Sequence, residues 1–392
     1  MNLESINKKK ILVLIPHFLP GFKLGGPLTS VINLIENLSC DFTFEVLTSD
    51  RDMGDNKPYD NIKFNSWIKK PNFNVLYISP GFFSIYRLIL HVNNSKADVV
   101  YLNSLFSPIF SISIVLASKI GLLKSKTIIL APRGESFSEA LDFKKLKKKW
   151  FLFFAKNVSL YKHVFWHAST EIEKKSIVKN LDIESHMVHV ALNLAQKRVF
   201  DEKKIINIIS KNSYNLYVVF LSRISKDKNL EFALDILKKI NSNVVFHIYG
   251  PIEDSYIWEI CKGKISDLPD NVIVEYKGSV AKDDVKVVLS NYDLMFLPTF
   301  AENFGHVIVE SLSVGTPVLL SDNTPWRDLE NKEFGWDFSL KEPELFINAI
   351  YRMSNFSIEE KNDMRFRIRN NFSVFLNNSE SLSANKKMFG SL

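Results

Sequence analysis

"LMFLPTFAENFGHVIVESLSVGTPVLLSD", residues 294 to 322, decides how the chain is read. An apolar run ends at Pro298 and Thr299, a turn follows, a helical pattern begins near Gly305, and a second apolar run occupies 317–322. A strand, loop, helix and strand in this order make a parallel crossover unit. Two glutamates stand out in it. Glu302 sits in the turn. Glu310 sits inside a helix otherwise fit for burial, among Val307, Ile308, Val309, Leu312 and Val314. A carboxylate buried there without partners would cost on the order of several kcal/mol, so each glutamate needs donors.

The same alternation runs outward in both directions. The strand-like runs of the first half are ILVLI (11–15), FEVLTS (44–49), NVLYIS (74–79), DVVYLN (98–103), TIILAP (127–132), VFWHAS (164–169) and MVHVAL (187–192). Those of the second are LYVVFLS (216–222), VVFHIYG (244–250), NVIVEY (271–276), LMFLPT (294–299) and PVLLSD (317–322). Near-continuous apolar strands separated by helices predict an α/β fold whose parallel sheets are covered on both faces. The polar stretch 196–215 reads as a linker, giving domains 1–200 and 210–372. A chain of 392 residues agrees with two domains at roughly 100–200 residues each. Ligands of such sheets bind at the carboxyl ends of the strands, and the cleft between two domains is the default site.

Composition narrows the classes. The chain is 46% hydrophobic and 24% charged, as ordinary globular proteins are. Cys40 and Cys261 cannot form a disulfide framework, which predicts a reducing, cytoplasmic setting. The opening MNLESINKKKILVLIPHFLP places lysines before an apolar run, but the run stops at Pro16 with no small-residue cleavage site behind it. It is read as a buried first strand. FSPIFSISIVLASKIGLL (106–123) is long enough for a membrane span. Its four serines, Pro108 and Lys119 point instead to a buried crossover helix with Pro108 in the first turn, so no membrane span is expected. A net charge of +7 and a pI near 9.0 favour anionic partners, and no nucleic-acid motif is present.

The loops after the strands carry the candidate chemistry. In FLSRISKDKNLEFALDILKKI, Arg223 and Lys228 flank the turn. An Arg fork and a Lys point charge suit a diphosphate; read alone, the two are better taken as solvated loop cations. Gly305 permits close backbone approach, and the amides of Phe304, Gly305, His306 and Val307 at the helix start would favour an anion. An ionised Glu310 only accepts hydrogen bonds. A pair of ribose hydroxyls would supply them, as would a neighbouring lysine or loop. Glu302 would face the sugar end of the same ligand.

In the first half, Gly25 and Gly26 form a glycine loop ahead of Pro27 and a helix. This is not G-x-G-x-x-G, which excludes a dehydrogenase reading. Asp50-Arg51-Asp52 is formally D-x-D but reads as a loop, and no metal is expected. Ser169 or Thr170 reads as a helix cap, and His167 as a packing or loop-supporting residue. FKKLKKKWFLFFAK carries lysines 144, 145, 147, 148 and 149 before Trp150, Phe151, Phe153 and Phe154. It is either an interfacial segment for anionic lipid or a helix with packed aromatics and solvated lysines.

Three segments carry a resemblance. AENFGHVIVES resembles the E-x7-E motif of retaining glycosyltransferases of family 4, SRISKDKN resembles their S-R-x-x-x-x-K segment, and VGTPVLLSD resembles their A-x-G-x-P-V segment. Their order and spacing agree, and the similarity extends over nearly the whole chain. The resemblance implies the GT-B fold: two Rossmann-like domains facing each other across a cleft that holds a nucleotide-sugar. A C-terminal helix (373–392) would cross back to complete the first domain. It implies that Arg223 and Lys228 bind the diphosphate, Glu310 the ribose and Glu302 the donor sugar, with Gly25, Gly26, Gly250, Asn303, Phe304, Gly305 and His306 also on the donor side. Glu302, Arg223 and Lys228 would be the catalytic group. APRGESFSEAL resembles the S/T-P-R-G segment of polysaccharide glycosyltransferases of that family, which puts Arg133 and Asn103 on the acceptor side, with Arg133 facing the acceptor or the phosphates.

This chain has Asn229 where those enzymes usually have glycine, IYGP (248–251) where they end a strand in Gly-x-Gly, and Asn103-Ser104 where many carry a histidine. The implied activity is that of a hexosyltransferase (EC 2.4) making O-antigen, lipopolysaccharide, capsule or exopolysaccharide. Its co-substrate is a nucleotide-diphosphate sugar, its acceptor a saccharide that can be lipid-linked, with no cofactor and no nucleic acid. The protein would be cytoplasmic, with contact to the inner face of the plasma membrane. The alternatives are a nucleotide-sugar epimerase of the same fold and a non-catalytic nucleotide-sugar-binding protein.

Overall fold

Strand β1 (Lys10–Leu14) shows why the strand runs are apolar almost throughout. Leu12 and Leu14 belong to one hydrophobic cluster and Ile11 and Val13 to another, one on each face of the sheet. The computed structural model describes residues 8–81, 83–124, 126–136, 145–196, 216–377 and 380–391, apart from the side chains of 145–149 and 377. It divides into two units: unit 1, Met1–Lys197 with Glu380–Leu392, and unit 2, Arg198–Ser379. The segment read as a linker lies outside the described residues from 197 to 215.

Unit 1 continues from β1 with α1 (Gly26–Leu38), β2 (Thr43–Ser49), β3 (Ile68–Lys69), β4 (Asn74–Ile78), α2 (Ser84–Asn94), β5 (Val99–Asn103), α3 (Ser113–Lys119), β6 (Thr127–Ala131), α4 (Lys145–Asn157), β7 (Phe165–Ala168), α5 (Glu171–Leu181) and β8 (Val188–Val190). Its strands lie in the order β3-β4-β2-β1-β5-β6-β7-β8, parallel except for β3. One face is covered by α2, α3, α4 and α5, the other mainly by α1. The tempting span 106–123 forms a π-helical turn, Pro108–Ile112, followed by α3. Ser107 caps that turn by accepting from the Phe110 amide. Among the described residues no helix is long and apolar enough to cross a membrane.

Unit 2 comprises β9 (Leu216–Leu221), α6 (Leu230–Leu237), β10 (Val244–Tyr249), α7 (Ser255–Ser266), β11 (Val272–Gly278), α8 (Val285–Ser290), β12 (Leu294–Leu297), α9 (His306–Ser313), β13 (Val318–Ser321), β14 (Gly335–Phe338), α10 (Pro343–Asn355) and α11 (Ile358–Asn377). Its sheet is wholly parallel, in the order β11-β10-β9-β12-β13-β14. The helix α11 is held in unit 2 by Phe372 and Phe375 against Phe334 and Trp326, and by Arg365 and Lys361 around the buried Asp293. Residue 373 therefore falls inside α11, and the chain rejoins unit 1 only at Glu380. There α12 (Ser381–Gly390) places Phe389 against Phe42 and Tyr101, and the Asn385 amide donates to the Leu192 carbonyl at 2.9 Å.

Strand order locates the functional edges. In unit 1 the winding reverses between β1 and β5, and in unit 2 between β9 and β12. Loops leaving the carboxyl ends at such a reversal diverge and leave a crevice for ligand. The loop after β9 holds Arg223 and Lys228, and the loop after β12 holds Glu302 to Gly305. Gly250, closing β10, has φ +135°, and a Cβ on it would stand 1.8 Å from the Ser222 carbonyl oxygen. Only glycine fits where β10 passes the start of the Arg223 loop.

Candidate functional site

The turn after β9 is built around Asp227, which the sequence did not single out. Its carbonyl accepts from the Phe300 amide and the Thr299 hydroxyl, both at 2.8 Å, which ties this loop to the end of β12. Its carboxylate accepts from the Ser225 hydroxyl at 2.5 Å and lies 3.4 Å from the Lys228 ammonium and 3.9 Å from Arg223. Asn229 then turns left-handed, φ +57°, at the start of α6, and its amide donates to the Pro298 carbonyl at 2.9 Å. Asparagine is one of the few residues besides glycine that tolerates this conformation, so the departure from Lys-Gly leaves the turn intact.

Lys228 and Glu302, 74 residues apart, meet at 3.0 Å with side chains only 10% and 16% exposed. Burial penalises the Lys228 charge, but Glu302 and then Asp227 outweigh it and hold the ammonium above its usual range. Burial likewise opposes ionisation of Asp227, and Lys228, Ser225 and Arg223 overcome it, so its carboxyl sits below the usual range. The Glu302 carboxylate also accepts from the Asn303 amide at 3.1 Å. Glu302 is thus held by a lysine in the protein itself. Arg223 reaches out of this group to Glu253 and stays half-exposed. The cluster is an ion-paired frame that aims a lysine and an arginine, rather than two free cations.

Gly305, at φ +77°, starts α9, whose N-terminus carries no side-chain cap. A Cβ there would stand 2.5 Å from Ile308 Cδ1 and 3.2 Å from Glu302 Cγ, so glycine lets the helix start close to Glu302. Phe304 is buried, its carbonyl accepting from Trp326 Nε1 at 2.5 Å, and the His306 ring meets it edge-on at 4.8 Å.

Glu310 lies further along α9, half-buried. Burial pushes its carboxyl up to about 7, against the pull of Lys286 and then Lys282. Burial lowers the ammonium of Lys286, on α8, and Glu310 opposes that shift. Among the described residues no side chain is ion-paired or hydrogen-bonded to the Glu310 carboxylate.

In unit 1, Gly25 caps α1 at φ +65°, ψ −125°, a conformation that requires glycine, with Gly26 and Pro27 opening the helix. Asp52 accepts from the Phe22, Lys23 and Met53 amides at 2.8, 3.1 and 2.8 Å, and Asp50 pairs with Arg51 at 2.8 Å, so D-x-D here shapes loops. Thr170 caps α5 through the Glu173 amide. Arg133 and Asn103 stand at the ends of the neighbouring strands β6 and β5 and are joined directly, Arg133 Nε donating to Asn103 Oδ1 at 3.1 Å.

Comparison with solved structures agrees with this architecture. HepE from Anabaena, in complex with UDP and glucose, superposes with a TM-score of 0.70 at 16% identity, covering 98% of this chain and 99% of that one. The lipopolysaccharide outer core galactosyltransferase WaaB, in its apo form, gives 0.63 at 17% identity, covering 98% and 100%. The shared fold is GT-B. An uncharacterised 41.2 kDa protein in the cps region of Klebsiella pneumoniae is 24% identical over 241 residues, 60% of this chain and 63% of that protein, so the chain spans less than two thirds of its length. Residues 201–371, most of unit 2, match the family model described as glycosyl transferases group 1.

Proposed function

We propose that the protein is a retaining glycosyltransferase of family 4. It moves a hexose-type sugar from a nucleotide-diphosphate sugar to a saccharide acceptor in cell-surface polysaccharide synthesis. The observation that carries this reading is the buried Lys228–Glu302 pair at the winding reversal of unit 2, with Arg223 beside it and the uncapped start of α9 next to it. HepE, bound to UDP and glucose, supports a nucleoside diphosphate as the donor moiety. WaaB and the cps-region relative support the polysaccharide setting.

In this reading Arg223, Lys228 and the α9 amides stabilise the charge developing on the departing diphosphate, work that a metal does in other enzymes. Glu302 holds Lys228 in place and faces the donor sugar. Glu310 receives the ribose hydroxyls. Gly25, Gly26, Gly250, Asn303, Phe304, Gly305 and His306 are the remaining donor-side positions, and Arg133 and Asn103 serve the acceptor in unit 1. The sugar is transferred on its front face, with the leaving phosphate taking the acceptor's proton. NMR of the protein with a nucleotide-sugar, with and without an acceptor fraction, tests the reading. New glycoside only when acceptor is present is expected. A new epimer from the donor alone would replace the reading with an epimerase.

Glu310 makes donor binding pH-dependent. Burial pushes its carboxyl up to about 7, and ribose hydroxyls favour the ionised form, so bound nucleotide should lower it. Affinity is then highest above pH 7 and falls as pH drops through 7, by at most about tenfold per unit. Titrations of UDP between pH 8 and 6 should show this fall in the wild type beyond that of Glu310→Gln, and equal pH profiles would contradict it.

Peripheral membrane contact belongs to the same reading. Leu152 and Ala155 of α4 face the core of unit 1, whereas Trp150, Phe153 and Phe154 are 67%, 63% and 63% exposed. Phe151 packs against Phe106 and the core, and the exposure of the other three supports an interfacial role for the helix. Of its lysines, Lys144 and the side chains of 145, 147, 148 and 149 lie outside the described residues. Changing Trp150, Phe153 and Phe154 to serine should release the protein from anionic vesicles without altering UDP affinity. A wild type that stays off such vesicles in sedimentation would end this part of the proposal.

A further inference from the structure

The carboxyl ends of β5 and β6 in unit 1 hold an arginine whose charge meets no counter-charge among the described residues. Arg133 is half-buried and makes four hydrogen bonds. Nε and Nη2 donate to Asn103 Oδ1 at 3.1 and 2.9 Å, Nη2 to the Tyr101 hydroxyl at 2.7 Å, and Nη1 to Asn193 Oδ1. All three partners are neutral. The two nearby carboxylates bind backbone and hydroxyl groups of the flanking loops. Glu135 accepts from Leu105 N at 2.5 Å and Ser104 Oγ at 3.0 Å, and Glu173 from Gly134 N at 2.6 Å and from Ser169 N and Oγ, both at 2.7 Å. Among the described residues no carboxylate is ion-paired with Arg133.

The scaffold behind the guanidinium stays neutral and buried. Tyr101 donates to His167 Nδ1 at 2.5 Å, and His167 Nε2 donates to the Ala191 carbonyl at 2.8 Å. Burial, then Arg133, lowers His167 to about 3, and burial raises Tyr101 to about 12 despite Arg133. At neutral pH the guanidinium is the one charge in this string, and arginine cannot shed it. Two non-glycine residues of left-handed φ sit here as well, Ser104 at +149° and Arg133 at +57°. Such backbone persists where its surroundings enforce it, and Glu135 and Glu173 clamp the flanking loops. Four of its five N–H groups are spent on neutral partners that fix the guanidinium in place, which leaves one N–H and the positive charge for an oxyanion.

We propose that Arg133 is the receptor for an anionic group, a phosphate or a carboxylate, on the saccharide that unit 1 takes, with Tyr101, Asn103 and Asn193 as its positioning residues. This rests on the reading of unit 1 as the acceptor side and adds the chemistry of the acceptor. The probes are glucose, glucuronate and glucose 6-phosphate, titrated into the full-length protein by saturation-transfer NMR with UDP present to fill the phosphate site of unit 2. The wild type should bind one or both anionic sugars at least about tenfold tighter than glucose, and the tighter one identifies the source of the anion. Arg133→Met should abolish that preference, and Arg133→Lys should keep only part of it, because an ammonium cannot keep all four contacts that hold the charge in place. Tyr101→Phe, which leaves the charge but removes a support, should weaken the anionic sugars severalfold. UDP affinity should be unchanged in all three variants, which also shows that each is folded. Equal binding of all three sugars by the wild type, a preference that survives Arg133→Met, or one that vanishes when UDP is added would each overturn the proposal. Failure of UDP itself to bind would count against the donor reading of unit 2, and leaves the anion preference to be read separately.

Discussion

Lys228→Met is expected to destabilise unit 2 by about 3–5 kcal/mol, the scale of removing one partner from a buried ion pair. The reason is geometric. The ammonium stands between Glu302 at 3.0 Å and Asp227 at 3.4 Å, and its loss leaves two poorly solvated carboxylates facing each other. Denaturant unfolding should show the loss, and so should the double variant Lys228→Met with Glu302→Gln. The double variant should recover part of the stability, because a neutral glutamine no longer needs the charge. The coupling between two residues in contact is what such a cycle measures. Nucleotide diphosphate binding should fail in both variants, since stability can be restored without restoring the cation. A Lys228→Met protein as stable as the wild type would show that the pair is not the frame of this loop.

Glu310→Gln is expected to move stability and binding in opposite directions. A carboxyl raised in the fold is ionised more easily in the unfolded chain, so above its unfolded value it works against folding, increasingly up to about pH 7. Removing the charge should stabilise the ligand-free protein at pH 8 by about 1–3 kcal/mol. The same change weakens charge-assisted bonds to the ribose and should cost about 1.5–3 kcal/mol of nucleotide affinity. Glu302→Gln should behave differently: it lowers turnover and, because Glu302 holds Lys228, weakens the nucleoside diphosphate through its phosphates, while the discrimination of ribose from deoxyribose stays as in the wild type. Thermal melts and calorimetry on the two variants separate the cases. A Glu310→Gln protein that is less stable without ligand would mean the carboxylate serves the fold.

Strands were legible because sheets covered on both faces force apolar residues at every position, as in β1 and β9. Two strands were not. β3 is a two-residue antiparallel edge, and β14 is Gly-Trp-Asp-Phe, too short and too polar to stand out. In the site, the glutamates and cations were visible through their spacing in one loop and one helix. Their pairing was not. Lys228 meets Glu302 across 74 residues, and only the adjacency of β9 and β12 brings them together. Asp227 was hidden between two lysines, where its charge reads as a solvated turn. Lys286 likewise gives no periodic signal, since its importance comes from the packing of α8 beside α9. Asn229 was legible in retrospect, because asparagine in place of glycine keeps the left-handed turn. Tyr101 read as one more strand residue, and only the fold shows its hydroxyl supporting Arg133.

Unit 2 is expected to read a nucleoside diphosphate through Arg223 and Lys228 at the phosphates and Glu310 at the ribose. Calorimetric titration of the wild type with UDP, GDP, ADP and TDP, together with uridine and 2′-deoxy-UDP, tests it most directly. At least one nucleoside diphosphate should bind, and a nucleoside without phosphates should bind far more weakly. The 2′-deoxy form should lose affinity in the wild type but not in Glu310→Gln. Binding of the nucleoside as tightly as its diphosphate, or a Glu310→Gln protein that still tells ribose from deoxyribose as the wild type does, would contradict it.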